Sequence, residues 1–360
     1  VEGEPEWVPQ PGPSAAAPPE SAVHRGYLVS AAEFRALHDA LLDAHGLRLL
    51  THPEEYERTT YYPLQHALLA GAAPRARWVA LPVPEGCGER DPRRSALASQ
   101  GGSSGRTSET LSEALVADLS RLTCEEIAME RPAWRFVVLK DYAKSEKSTA
   151  DDVERFLRAP ADRPAELAER AAELAMQRAR KGRLYRGVVL KEGVPLQVYP
   201  ADCRSATLPP PPAATGGGFV ANEWRLWFAR PGYDVPPQLL RAMPNSLQDA
   251  TRVAAPPREL IGRCAELAEE LGNPYLTVDV AETEDELPGP EAGQRWIVLE
   301  VGDGAASGPA PGQDMADHWR QLWVVFGRGS DEPSAAAGPA AAAAAAAEVE
   351  ARAAGGAGTG

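Results

Sequence analysis

An α+β fold is what this sequence of 360 residues predicts, on three observations. Strand-like apolar runs mix with amphipathic helices from the start of the chain. Two late strands, Tyr275 to Val280 and Arg295 to Val301, are placed to pair antiparallel. Short apolar runs also end repeatedly on charge: Phe136-Val-Val-Leu-Lys140, Gly187-Val-Val-Leu-Lys191-Glu192, Val278-Asp279-Val and Trp296-Ile-Val-Leu-Glu300. A charge at the end of a buried strand needs a partner, a ligand or a metal.

Residues 1–22 are rich in Pro, Ala and Glu, and residues 329–360 run through Ala340 to Ala347 into Gly, Ala and Thr; both are expected to be disordered tails. Residues 23–130 read as a small leading α/β region. In it, Ala31 to Gly46 carries Phe34, Leu37, Leu41 and Leu42 on one helical side, and Arg77 to Val83 is a strand. Residues 131–328 form the α+β body. Arg135 to Leu139 reads as a buried strand, Pro164 to Lys181 as a helix, and Arg186 to Lys191 with Leu196 to Tyr199 as a hairpin-like pair. Asn222 to Ala229 is another strand, Arg258 to Leu271 a helix ended by Gly272-Asn-Pro, and Asp317 to Phe326 a closing helix. Gly86 to Ser108, Leu208 to Gly218 and Val235 to Pro257 read as disordered insertions, being long and poor in pattern.

The charge balance argues against one class of partner, broad binding to a nucleic-acid backbone, and leaves room for a local basic cleft. Lys and Arg number 37 against 51 Asp and Glu, a net charge of −14, whereas non-specific nucleic-acid binding draws on clustered cations. Cys87, Cys124, Cys203 and Cys264 form no Cys-x-x-Cys pair, which fits a reducing compartment. No run is long and apolar enough for a membrane helix. A cytoplasmic protein is expected, and the start at Val1 suggests a partial or processed chain. The histidines, six in number, lack metal-ligand spacing, and neither a Gly-x-Ser-x-Gly elbow nor a Gly-x-x-x-x-Gly-Lys-Ser loop is present.

The chemistry therefore concentrates at the strand ends. Lys140 closes an apolar run, so its stem starts in the core and its ammonium reaches a cleft or water. The polar Lys144-Ser-Glu-Lys-Ser-Thr segment suits a phosphate-closing loop or an ordinary solvated one. Lys191 and Glu192 end a strand whose edge suits a purine and whose carboxylate suits ribose hydroxyls, or else form an exposed turn. Alternation sets Glu223 and Arg225 on one face of their strand and Trp224 and Leu226 on the other. A guanidinium held there matches phosphate with its fork, or pairs internally with Glu223. Asp279 and Glu300 converge from neighbouring strands, a cost that a cation removes, and magnesium bound by carboxylates and phosphates is the usual solution. Asp303 supplies a further oxygen or caps a turn, with capping the better reading, while Glu282, Glu284, Asp285 and Glu286 read as a solvated acidic loop. ATP with magnesium fits the whole set best.

These residues also carry a resemblance. Phe136-Val-Val-Leu-Lys140-Asp-Tyr-Ala-Lys144-Ser, Gly187-Val-Val-Leu-Lys191, Asn222-Glu-Trp-Arg225, Asp279-Val-Ala and Glu300-Val-Gly-Asp-Gly resemble, in order and spacing, the ATP-grasp superfamily, in the clade named for two arginines and one lysine. The likeness covers about residues 131–308, with a weaker one where Glu55-Tyr-x-Arg58 and Tyr62-Pro-Leu-Gln65 resemble the clade's leading region. It implies an ATP-grasp domain over residues 131–328, with ATP between two α+β lobes. Lys140 and Arg225 are then catalytic and on phosphate, Lys144, Lys191, Glu192 and Glu223 complete the ATP site, and Asp279 with Glu300 holds magnesium. Two departures stand out. Lys191 occupies a place where the clade usually has arginine, keeping charge but losing the fork, and Glu300-Val-Gly-Asp303 stands in place of the wider superfamily's Glu-x-Asn pair.

The function this implies is an ATP-dependent, magnesium-dependent ligase joining a carboxylate to an amine or similar nucleophile through an acyl phosphate. Two other readings compete with it. A ligase with Lys140 as nucleophile would need Lys-x-Asp-Gly where this chain has Lys140-Asp-Tyr-Ala. A nucleotide-binding interaction module without catalysis differs only in lacking metal-dependent turnover.

Overall fold

Alternating side chains in the strands build two facing sheets, each with a helix on its outer side. The computed structural model describes residues 20–25, 28–69, 71–80, 134–143, 156–180, 184, 186–200, 203, 219–244, 248–286, 295–309 and 314–326. Lys144, residues 1–19 and 329–360, and the Gly86–Ser108 and Leu208–Gly218 insertions lie outside the described residues, whereas Glu20–Ala22, expected to belong to a disordered tail, is a strand.

The leading segment contains β1 (Glu20–Ala22), α1 (Ala31–His45), β2 (Leu47–Leu49), α2 (Pro53–Thr60), α3 (Tyr62–His66) and β3 (Ala76–Ala80). Ser30 and Glu33 form a reciprocal capping box that starts α1, and Gly46 ends it in the left-handed region at φ 64°. Strand β1 pairs parallel with β2. Strand β3 leaves this segment to join the first large sheet.

That sheet runs β3-β6-β4-β5, all antiparallel, with β4 (Phe136–Asp141), β5 (Ala159–Pro160) and β6 (Gly187–Gly193). Helix α4 (Pro164–Arg180) covers one face, where Val137, Leu139, Val188 and Leu190 meet Leu167, Ala171 and Leu174. By the period of two, Lys140, Val189 and Lys191 occupy the opposite face. The hairpin-like pair expected for the Arg186–Lys191 strand is corrected: β6 pairs with β3 and β4, while β7 (Val198–Pro200) pairs with β8 (Phe219–Ala221). Gly187 explains part of this choice. A Cβ there would stand 2.2 Å from the Val79 carbonyl oxygen and 2.4 Å from the Tyr142 ring, so only glycine admits so close a neighbour.

The second sheet runs β10-β9-β11-β12, again antiparallel, with β9 (Glu223–Ala229), β10 (Gln238–Pro244), β11 (Tyr275–Glu282) and β12 (Trp296–Asp303). The late antiparallel pair is present as expected. Strand β10 corrects the expectation of a disordered insertion over Val235 to Pro257; its residues Leu240 and Met243 pack in the core with Trp227 and Tyr275. Helix α5 (Arg258–Leu271) presents Leu260, Cys264, Leu267, Ala268 and Leu271 to the outer face, against Trp224, Leu226, Val278 and Val280. Helix α6 (Ala316–Phe326) packs on the inner face beyond the cleft, burying His318 against Tyr275 and Trp227. Glu282 is also corrected: it is buried and accepts from Tyr199 and Asn222, each at 2.9 Å, rather than standing in a solvated acidic loop.

The leading segment is tied to both sheets. Arg58 donates to the Leu271 carbonyl at the end of α5 at 2.7 Å, Tyr56 is hydrogen-bonded to both backbone groups of Val29, and Gln65 pairs with both backbone groups of Val301 on the edge strand β12. An edge strand otherwise exposes unpaired groups. The Glu55-Tyr-x-Arg58 and Tyr62-Pro-Leu-Gln65 motifs thus include anchors that hold the segment in place. Among the described residues, no helix is long and apolar enough to cross a membrane.

Candidate active site

The inner faces of the two sheets meet across a polar cleft, open to solvent and lined among others by Lys140, Arg225, Thr277, Asp279, Glu300 and Ser307. Arg225, Asp279 and Glu300 are successive cross-strand partners on β9, β11 and β12, so one row of the sheet carries a cation and two carboxylates. Arg225 meets Asp279 as a fork, Nε to Oδ1 and Nη2 to Oδ2 both at 2.7 Å, and its Nη1 donates to the Gly308 carbonyl at 2.6 Å. Burial works against the Arg225 charge, but the Asp279, Glu300 and Glu223 carboxylates outweigh it and raise the pKa.

From the opposite sheet Lys140, almost fully buried, donates to Glu300 Oε2 at 2.8 Å. Lys191 donates to the Leu299 carbonyl. That carbonyl is available because β12 bulges: Asp279 faces Glu300 but Val280 faces Val298, leaving Leu299 without a partner in the register. Burial, reinforced by the neighbouring Lys140 ammonium, depresses the Lys191 pKa to about 7, while Glu300, Asp279 and Glu223 pull it the other way. Asp141 follows Lys140 and faces the opposite side of β4, where it pairs with Arg178 of α4 and accepts from the Ala143 N–H at 2.7 Å. Both members of that pair are buried.

Most of the expected site residues converge here, but not all. Glu223 lies on the same face of β9 as Arg225 and acts on it and on Lys191 electrostatically. Glu192 turns away from Lys191, as adjacent strand residues must, and its carboxylate is forked by Arg75 at 2.9 and 3.0 Å. Asp303 caps the turn that follows β12, accepting from the Ala305 and Ala306 N–H groups at 2.9 and 3.0 Å, with Thr51 donating to its other oxygen at 2.6 Å. Its burial raises its pKa. Sequence reasoning gave no role to Tyr62, whose ring lies beneath both lysines, or to the Leu299 bulge. The Tyr62-Pro-Leu-Gln65 likeness was the one signal for the former.

The donor set suits a divalent cation. Asp279 and Glu300 are register partners facing one cleft, and magnesium takes one or two carboxylates with phosphate and water oxygens. Among the described residues, no cluster of three or more His, Cys, Asp or Glu could hold a metal by itself, so phosphate and water oxygens would complete the coordination.

Comparison with solved structures finds D-cycloserine synthetase DcsG at 16% identity over 82% of this chain and 78% of that one, with a TM-score of 0.40. The D-alanyl-alanine synthetase A of Vibrio cholerae O1 biovar eltor str. N16961 is 9% identical over 81% of this chain and 71% of that one, TM-score 0.41. The ATP-grasp ligase PsnB, solved with minimal precursor, Mg and ADP, is 14% identical over 89% of this chain and 68% of that one, TM-score 0.32. In its complex with minimal precursor, PsnB is matched over 62% of its length. No curated protein matches the chain. The assignment rests instead on the sequence of residues 133–322, over half the chain, which matches the ATP-grasp domain of family 3 in the clade named for two arginines and one lysine; the protein belongs to that family.

Proposed function

We propose that this protein is an ATP-dependent, magnesium-dependent ligase that joins a carboxylate to an amine or similar nucleophile through an acyl phosphate. The observation that carries the reading is the facing of Lys140 on one sheet against the Arg225–Asp279–Glu300 row on the other, across one cleft, with Lys191 buried beside them on the Leu299 carbonyl. Lys140 and Arg225 both line the cleft on carboxylate partners that an incoming phosphate would replace.

In the proposed reaction the substrate carboxylate attacks the γ-phosphorus, the bond to ADP breaks, and the amine then displaces phosphate from the acyl carbon while losing a proton. Lys140 and Arg225 exchange carboxylate partners for phosphoryl oxygens and stabilise the charge of the transferring group. Lys191 adds a further donor from β6. Asp279 and Glu300, released by that exchange, would hold magnesium, whose chemistry is to neutralise and orient the phosphate oxygens. Glu223 beside Arg225 keeps the row charged, and Lys144 is a further cation of the proposed ATP site. Glu192, forked by Arg75, would have to exchange that partner to meet a ribose.

Phosphate release tests the proposal: the protein, ATP and magnesium are incubated with pooled carboxylates and pooled amines, together and separately. Release that requires both pools is expected. Nucleotide binding with no release under any pool would favour the interaction-module reading.

Lys191 gives a pH test. Below pH of about 7 it is charged, and above that value it loses its proton and the cleft loses a cation. ATP affinity is therefore expected to fall as pH rises through about 7, with a flatter profile in Lys191→Arg, since arginine stays protonated. Parallel profiles in the two proteins would contradict this role. In the unfolded chain lysine titrates near 10.5, so between about 7 and 10.5 the unfolded state holds the extra proton and this residue's burial penalty is relieved as pH rises.

A further inference from the structure

Part of the cleft lining comes from outside the family-matched residues 133–322, from Thr59, Thr60 and Gln65, and behind it lies Tyr62. Tyr62 opens α3 and is fully buried, and the Lys140 and Lys191 ammonium nitrogens lie 4.9 and 5.1 Å from its ring centroid. Its phenolic oxygen is buried without a hydrogen-bond partner among the described residues. What this tyrosine offers its surroundings is therefore its ring. The ring is fixed in place by the Tyr62 N–H, which donates to the Tyr142 carbonyl at 2.6 Å, and by packing against Ala76 and Val189. Gln65, one turn further along, holds the same segment to the β12 edge.

We propose that Tyr62 is the positioning residue for the phosphate-binding lysines, so that the leading segment completes the ATP site and residues 133–322 do not form it alone. The inference rests on the ATP-ligase reading above. Two ammonium groups brought this close to one ring repel each other. An aromatic face attracts both. Unlike a carboxylate, it occupies no N–H donor, so it fixes the direction of the lysines without adding a competitor for phosphate oxygens. A carboxylate in its place would compete with ATP.

The test is calorimetry of ATP with magnesium against the wild-type protein and Tyr62→Phe, Tyr62→Leu and ring-fluorinated phenylalanine variants, the last incorporated at position 62. Tyr62→Phe should bind within about twofold of wild type and be at least as stable, because it loses only an unpaired buried hydroxyl. Tyr62→Leu and the fluorinated ring, which keeps the volume but weakens the negative face, should each lose about tenfold or more in affinity. If Tyr62→Leu fails to fold, the fluorinated variant decides. Wild-type affinity in the fluorinated protein, or a loss in Tyr62→Phe as large as in Tyr62→Leu, would overturn the inference and leave the ATP-ligase reading standing. Absence of ATP binding by the wild-type protein would overturn both.

Discussion

Asp279→Asn is expected to abolish magnesium-dependent turnover and to lower stability by about 3 kcal/mol, the scale for breaking one side of a buried ion pair. The size of the second effect follows from the Arg225 fork. Both Asp279 oxygens accept from the guanidinium at 2.7 Å, and the carboxylate is buried. An amide keeps one acceptor but turns an NH₂ toward the second donor. Glu300→Gln should lose turnover equally, at a cost of about 1 kcal/mol or less, because the Glu300 side chain is 42% exposed and water can replace it at Lys140. Chemical denaturation and phosphate release measured on both variants check the pair. Equal stability losses would contradict the burial argument, and full turnover in both would reject the metal assignment.

Arg178→Met is expected to destabilise the protein by about 3–5 kcal/mol, because it deprives Asp141 of its guanidinium in an apolar setting. Asp141 is 0% exposed, and the pair sits between α4 and β4 directly behind Lys140. For a body of this size the midpoint of thermal unfolding should fall by roughly 10 °C. The double variant Asp141→Leu/Arg178→Met should recover much of the loss, since an apolar pair of similar volume needs no desolvation of charge. A double variant as unstable as the single one would show that the site cannot repack.

The elements that position the site were legible because apolar runs ending on charge have few physical solutions. Lys140, Arg225, Asp279 and Glu300 converge on the cleft, with Lys191 buried beside them. Period-two alternation also placed Arg225 correctly opposite Trp224, which lies under α5. The same rule, applied to Lys191 and Glu192, separates them across the sheet. Pairing order was not legible: β3 reaches β6 across a sequence separation of more than a hundred residues, and no local signal encodes that choice. Strand β10 was hidden by the prolines around it, and Glu282 by the acidic residues that follow it, although Tyr199 and Asn222 bury it. Bulges such as that at Leu299 arise from how three strands fit together, which a strand's own sequence does not state.

ATP binding by calorimetry, with and without magnesium, on the wild-type protein and Lys140→Ala tests the central claim most directly. Lys140 takes no part in the α4 core and spends its charge on Glu300 across the cleft. Magnesium-enhanced binding by the wild type, weakened at least about tenfold in the variant, is the predicted result, the scale of a lost charge-assisted bond. Undiminished binding in Lys140→Ala, or no binding by the wild type, would contradict the assignment of this cleft to ATP.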